Sequence, residues 1–568
     1  MERGRRMMNK DIAVLLVKSL LERIERDDER SGRLEGRISA SEIEALRLLA
    51  GISGSESPAA EAPAGPMPEP SSEEMEEPSA SVVSDGNEEG GITLDLSSAD
   101  GEPDEDVRIC IDFGTAMSKA TLVLDSSAGQ GEQIEVLKLG IPGDQQEISQ
   151  TMLVSSVLID SAGRLWFGQE AVERSMDDAL SGGASRIDNI KRRISEGGWG
   201  DEVSDEFNPS GIRVTYEDLI IAYLTYLTFC INNCLEELGY DGRVLRRYAS
   251  PCLDPERTAK VETFMQEALV IAQIVVDTVG DELCDGFPLD RFAELVTTIR
   301  NKGVSARFVG KRISEPAGVM GATISWESNV NGLFMVVDVG AGTTDFGLFR
   351  VVFDPEREGV SSVFTVEDTP RAIRAAGNHL DRILRQYAIS KGGVENRVDV
   401  RRRLDREIRE LKETLFNEGK VHVVLSEDED IDVHIELDEF LALTPVKKFS
   451  EQLRETMEKV FLQDPAWVNW FSEHLEQKLV VILTGGGSEL PMVRELTSRD
   501  LTIDGRTIPV ARSLEFPSWL QNAHPGYAED FSRIAVSLGG ARNRFFGREG
   551  RIQSAPIGER EQFTIGRY

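Results

Sequence analysis

Cysteine is scarce in this chain of 568 residues, with Cys110, Cys230, Cys234, Cys252 and Cys284 the five present. They show neither paired C-x-x-C spacing nor the density of a small stapled scaffold, which argues against a disulfide framework or zinc site and suits a reducing compartment. Cys230 and Cys234 stand one turn apart on a predicted helix and read as ordinary core residues. Positive charge is short too. The 63 Lys and Arg face 99 Asp and Glu, for a net charge of -36 and a pI of about 4.6. Clustered basic residues are what phosphate contacts require, so no nucleic-acid partner is expected. No segment reads as the ~20 uncharged apolar residues of a membrane span. The basic, then apolar N-terminus is interrupted by Asp11 and Lys18 and lacks a small-residue cleavage site, unlike a signal peptide. A cytoplasmic location without membrane attachment is the expectation.

Ile12, Leu15, Leu16, Leu20 and Ile24 recur at helical spacing, and "SASEIEALRLLAGI" opens a second helix with a Ser-x-x-Glu pattern from Ser41 to Glu44. Residues 1–52 are therefore expected to be a helical segment. Residues 51–106 contain no Lys or Arg and are rich in Ser, Pro, Gly, Glu and Asp. Such a composition cannot bury enough apolar surface to offset its ordering entropy, so 53–106 is expected to be a disordered acidic linker. Beyond Val107, short apolar runs alternate with helix-length amphipathic stretches, which predicts an α/β architecture. One of the longer predicted helices spans 437–461.

"VVDVGAGTTDFGLF", Val336 to Phe349, carries more glycine, hydroxyl and carboxylate than a plain hairpin turn needs. "ICIDFGTAMSKATLVL" repeats its design upstream, because aligning Asp112 with Asp338 places Gly114 on Gly340. That pattern suggests an internal duplication in which each lobe offers one hairpin to a shared cleft. Glycine lets the backbone approach a bulky anion, and successive N–H groups make an anion-binding nest. Hydroxyls add donors, and aspartates at strand ends can hold hydrated magnesium. A third cluster, Gly485-Gly486-Gly487, ends the apolar run "LVVILTGGG" and leads to a helix near Pro491. Alone it reads as a βα turn; after two phosphate hairpins it reads as a shelf for a nucleoside.

These three elements, in this order, resemble the actin, hexokinase (sugar-kinase) and 70-kilodalton heat-shock ATPase superfamily. Within it the chain is most similar to the nucleotide-binding domain of the heat-shock (DnaK-like) chaperones. "ISEPAGVMGA" resembles that family's connecting motif, with Glu315 and Pro316. "SRIDNIKRRISEG" resembles the segment bearing its catalytic lysine, here Lys191. "YASPCLDPERTAK" resembles the segment of its interlobe relay, here Pro251 and Arg257, with a loop two residues shorter. The likeness spans 107–550, leaving 551–568 as a tail. It implies a bilobal actin-like ATPase fold of duplicated ribonuclease H-like lobes, preceded by the helical segment and linker. It also implies ATP or ADP with Mg2+: Asp112 and Asp338 holding the metal through water, and Gly114, Thr115, Gly340, Gly342 and Thr343 at phosphate. Lys191 would face the γ-phosphate, Glu315 and Asp345 would place the attacking water, and Lys412 with Gly485, Gly486 and Gly487 would meet the nucleoside.

The chain departs from that pattern in places. Ala116 and Met117 replace a hydroxyl and a polar residue of the first hairpin. Arg409 and Phe416 stand where the family has Glu and Ser, and Glu489 where it has Arg. A charge-swapped Arg409–Glu489 pair across the base and two separate losses of base contact both account for this. The family's substrate-binding sandwich and lid do not fit in the tail. The function expected is an ATP-dependent, slowly hydrolysing chaperone-like switch that couples nucleotide state to an unidentified protein partner or client. A non-hydrolysing nucleotide-sensing scaffold and an actin-like filament ATPase are the alternatives, and oligomeric state is open.

Overall fold

The computed structural model describes residues 24–26, 32–34 and 92–543, apart from 100, 105, 126–131, 141–149, 180–184, 241, 326–328, 354–361, 367, 396, 427–429 and 465. Two units divide the chain, Met1–Gly91 and Ile92–Tyr568. In the first, Ile24–Arg26 pairs antiparallel with Gly32–Leu34. Ile24, the last apolar position of the expected first helix, is thus the start of a strand. The remaining positions of both expected helices, the linker as far as residue 91 and the tail 551–568 lie outside the described residues.

The second unit begins earlier than composition suggests. "ITLDLSSA", residues 92–99, alternates half-buried and exposed side chains, and Ile92, Leu94 and Leu96 pack on the first core while Ala99 is buried. Asp95 N–H donates to Thr278 Oγ1 at 3.1 Å. The linker boundary expected at 106 is corrected on this account: three apolar residues at period two are enough to dock a strap whose composition is otherwise acidic.

From there the chain builds the same sheet twice. In the first, β1 (Val107–Asp112), β2 (Met117–Asp125) and β3 (Glu132–Val136) form an antiparallel meander. β4 (Leu245–Ser250) and β5 (Val309–Ser314) add in parallel on the other side of β1. The sheet order is β3-β2-β1-β4-β5, and Leu153–Val154 pairs with the start of β2. Helix α1 (Tyr216–Glu237) precedes β4, α2 (Pro255–Val279) follows it, and α3 (Glu315–Thr323) follows β5. α1 begins at a reciprocal Thr215/Asp218 capping box, and α2 at Asp254 with Pro255 in its first turn.

In the second sheet β6 (Val330–Val339), β7 (Thr344–Phe353) and β8 (Ser362–Thr365) are again an antiparallel meander. β9 (Leu479–Thr484) and β10 (Val510–Arg512) again join in parallel. The order β8-β7-β6-β9-β10 matches the first sheet strand for strand, and Arg371–Ile373 pairs with the start of β7 as Leu153–Val154 does with β2. Helices α4 (Gly377–Lys391), α5 (Val398–Glu418) and α6 (Thr444–Phe461) supply the second core, and α7 (Phe531–Ala541) follows β10. The helix expected over 437–461 is two helices, Leu437–Leu441 and α6, because Pro445 in the first turn of the latter lacks the N–H that a continuous helix would donate to the Leu441 carbonyl.

α3 and α7 hold equivalent places in the two repeats and pack on each other through glycine. A Cβ on Gly539 would lie 1.8 Å from the Gly318 carbonyl oxygen, and one on Gly321 would lie 2.8 Å from that of Gly539. A third core, with Cys110 and Val123 from one sheet and Val336, Phe349 and Val351 from the other, surrounds this contact. Among the described residues two helices are long and apolar enough to cross a membrane, Tyr216–Glu237 and Pro255–Asp285, contrary to the expectation that no segment has that character. The molecule buries 83% and 67% of their apolar windows, so they serve as core helices here.

Candidate functional site

The site assembles where the two duplicated hairpins turn. Phe113 to Ala116 connect β1 to β2, and a Cβ on Gly114 would fall 1.9 Å from the Met117 carbonyl oxygen, which only glycine avoids. Gly340, Ala341, Gly342 and Thr343 connect β6 to β7, with Gly340 N–H donating to the Thr343 carbonyl at 3.0 Å. The turns touch at their tips, since a Cβ on Gly342 would stand 2.8 Å from Thr115 Oγ1.

Buried charge gathers behind these tips. Asp112 ends β1, and Lys119, its register partner on β2, reaches it at 3.3 Å. Asp338 and Asp345 are register partners across β6 and β7. Glu315 opens α3 and takes a 2.7 Å ion pair from Lys191, which stands just before the short helix Arg192–Glu196. Asp112, Lys191, Glu315, Asp338 and Asp345 are all buried. Burial pushes the Asp338 carboxyl well above the usual range, and Glu315, Asp345 and Asp112 push the same way. Asp345 is pushed up to about 7, first by burial and then by Glu315, against the Cys252 N–H that donates to its Oδ1 at 2.7 Å. Burial alone would lower Lys191, but Glu315, Asp112 and Asp345 together hold it above its ordinary value.

That donor set fits a divalent cation. Asp112 and Glu315 each have a lysine, whereas Asp338 and Asp345 have no ion-pair partner among the described residues. Asp345 Oδ2 is buried without a hydrogen-bond partner. Two unmatched buried carboxylates are costly unless a cation offsets them. Among the described residues no three of these carboxylates bring their oxygens close enough to ligate one ion directly. A hydrated magnesium ion, which keeps several of its waters, suits that spacing.

The third glycine cluster lies against the same carboxylates. β9 runs beside β6 with Thr484 opposite Asp338, and the chain then turns at Gly485, φ 84°. A Cβ on Gly485 would be 2.4 Å from Asp338 Oδ1, and Gly487 N–H donates to the Val339 carbonyl at 2.9 Å. Gly486 has open space around it. The start of α4 sits on the second turn: Gly377 N–H donates to the Gly340 carbonyl at 3.1 Å and Asn378 N–H to that of Ala341 at 2.8 Å. Lys412 of α5 pairs with Asp381 of α4 at 2.7 Å, with its Nζ 3.5 Å from where a Gly377 Cβ would be. It therefore braces the helix that supports the turn.

Pro251 and Arg257, expected from the resemblance to form a relay, connect to this cluster through backbone. Pro251 positions Cys252, the donor to Asp345, and Arg257 reaches the Ser195 carbonyl at 3.4 Å, on the short helix that follows Lys191. A cavity of about 220 Å3 adjoins Gly342 and Thr343 and is walled by Arg192, Arg257 and Arg374. A larger one, about 500 Å3, is lined by Asn189, by Arg186, Arg193, Arg402 and Arg406, and by the carboxylates of Asp188, Glu206 and Asp405.

The charge-swapped base pair is not formed. Arg409 pairs with Glu413 on its own helix at 3.2 Å, and Glu489 is taken up by Arg494 and by Arg512, the latter at 2.9 Å. Phe416 packs edge-on against Phe440 in the second core. Lys119, whose only signal is its register opposite Asp112, and Asn189 and Asn378 are site residues that no local sequence pattern singles out. Asn378 Nδ2 donates to Asn189 Oδ1 at 2.7 Å and so ties α4 to the segment before Lys191. A scan against protein-family models and a search of curated proteins both return no match for this chain.

Proposed function

We propose that this chain is an ATP-binding switch with a bilobal actin-like fold of two ribonuclease H-like lobes, hydrolysing ATP slowly and coupling nucleotide state to a protein partner. The observation that carries this reading is the twice-built sheet whose two hairpin tips meet over a buried cluster of carboxylates and one lysine. Phosphoryl transfer needs mainly positioning and charge stabilisation, and the parts for both are close together here.

In this reading the N–H groups of the turns at Gly114–Thr115 and Ala341–Thr343 grip the β- and γ-phosphates, while the Gly340 N–H keeps its bond to the Thr343 carbonyl and lets the backbone approach. Asp112 and Asp338 would hold magnesium through water, and that ion supplies charge to offset the phosphates. Lys191 exchanges its Glu315 partner for the γ-phosphate. Glu315 and Asp345 orient the attacking water, Asp345 being fixed by the Cys252 N–H. Pro251 and Arg257 then carry a change at Asp345 or Lys191 to the lobe surface, so that two lobe angles become two states for a partner to read.

Magnesium-dependent turnover by purified protein, measured with Lys191→Ala and Thr343→Ala, tests this. Each variant is expected to lose about 100-fold or more in turnover. Wild type that binds ATP but turns over no faster than the variants makes the site a sensor. ATP-dependent growth in light scattering makes it a filament protein, and absence of nucleotide binding removes the proposal.

A further inference from the structure

We propose that the outer face of the hairpin formed by Lys420–Ser426 and Ile431–Glu436 binds a transition-metal dication of the zinc class through His422, Asp432 and His434. The hairpin alternates through Leu425 on its first strand and along the second, with the register shifting between Val424 and Ser426. Val421, Val423, Leu425, Val433 and Ile435 point inward and are buried in the second core, whereas His422, Asp432 and His434 point outward and are exposed. Antiparallel register sets His422 directly opposite His434, and pleat spacing puts Asp432 on the same face, two residues before His434.

The side chains already converge. The two imidazoles stack at 4.4 Å between centroids and 16° between planes, and His422 Nε2 lies 2.7 Å from Asp432 Oδ2. One donor atom from each of the three lies within 4.8 Å of the others. A tetrahedral ion with bonds of about 2.0–2.1 Å sets its ligands roughly 3.3 Å apart, so small side-chain rotations close the site on a backbone held by its buried face. Three protein ligands leave room for water or a further ligand.

Two imidazoles and one carboxylate select zinc, cobalt, nickel or copper over magnesium and calcium, which prefer all-oxygen ligands. This site is therefore chemically distinct from the carboxylate cluster. The chain has five histidines, all within the described residues. His379 stands beside Arg382, His474 bonds the Trp470 carbonyl, and His524 stacks on Tyr527. Among the described residues no other group brings three potential ligands together in this way.

The test is calorimetric titration of untagged full-length protein with ZnCl2, in excess Mg2+ so that the carboxylate cluster is occupied by its own kind of ion. One saturable equivalent is expected, weakened at least about tenfold by His422→Ala and by His434→Ala and unchanged by His524→Ala. Cobalt should give a visible ligand-field spectrum that both hairpin variants lose. His422 and His434 are exposed and His524 is half-buried, so metal-free melting midpoints equal to wild type check that the fold is retained in each variant. Absence of a saturable equivalent, or one that survives both hairpin substitutions, overturns the assignment.

Discussion

Asp338 and Asp345 face each other across paired strands, and burial first, then the neighbouring carboxylates, holds each protonated more readily than a free carboxylate. Removing one charge should relieve the other. Asp345→Asn keeps an oxygen to accept from Cys252 N–H and is expected to stabilise the cation-free protein at neutral pH, on the order of 1–3 kcal/mol. The same change leaves Asp112 and Asp338 in place and should reduce, not abolish, any gain in melting midpoint from Mg2+, and calorimetry with and without the ion reads both effects. A destabilised Asp345→Asn protein would mean that the carboxylate cluster is balanced as it stands. Asp112 and Asp338 were legible from their repeated glycine- and hydroxyl-bearing hairpins, whereas Lys191, Glu315 and Asp345 were singled out only through the family resemblance, Lys191 by itself being an ordinary basic residue beside Arg192 and Arg193. Lys119 was not, since its role depends on a cross-strand register that no local pattern announces. Asn189 and Asn378 were illegible for a similar reason: their contact joins positions far apart in the chain.

Between elements, the α3–α7 contact tolerates no side chain. Gly539→Ala places its methyl against the Gly318 carbonyl, and backbone on both sides leaves little room to yield, so a loss of about 3 kcal/mol or more is expected in denaturant unfolding. Gly486→Ala, with open space around it, is the near-neutral comparison. Arg108, fully buried on β1, pairs with Asp125 at the end of β2 and donates to the Ala541 carbonyl of α7. Burial raises Asp125, but the Arg108 bonds outweigh it and hold the carboxyl below its ordinary value. The pair therefore contributes fully above the ordinary carboxylate range and is lost as pH falls through the depressed value. Wild type should lose stability in that acid window, and Asp125→Asn should be weaker at neutral pH but flatter in acid. The sheet centres were readable from sequence as apolar runs. β3, β5, β8 and β10 were not, because these edge strands are short or charged and their identity comes from a neighbour already in place.

At the scale of the molecule, an α/β architecture was legible from alternation alone. The equivalence of the two sheets showed in sequence only at their hairpins, because strand order is a property of pairing. If nucleotide bridges the two hairpin tips, binding must stabilise both sheets at once. MgATP at 100 times its dissociation constant should add about 2.7 kcal/mol to unfolding, and chelating the metal should remove most of that gain. A single shifted transition is expected; two transitions of which only one responds would show that the tips do not share a ligand. The strap at 92–99 has a different consequence. Ile92, Leu94 and Leu96 grip the core one after another, and one backbone hydrogen bond fixes Asp95 to α2. Tension arriving through residues 1–91 would load these attachments in series, so the strap should peel like a zipper at forces well below those needed to shear the sheets apart.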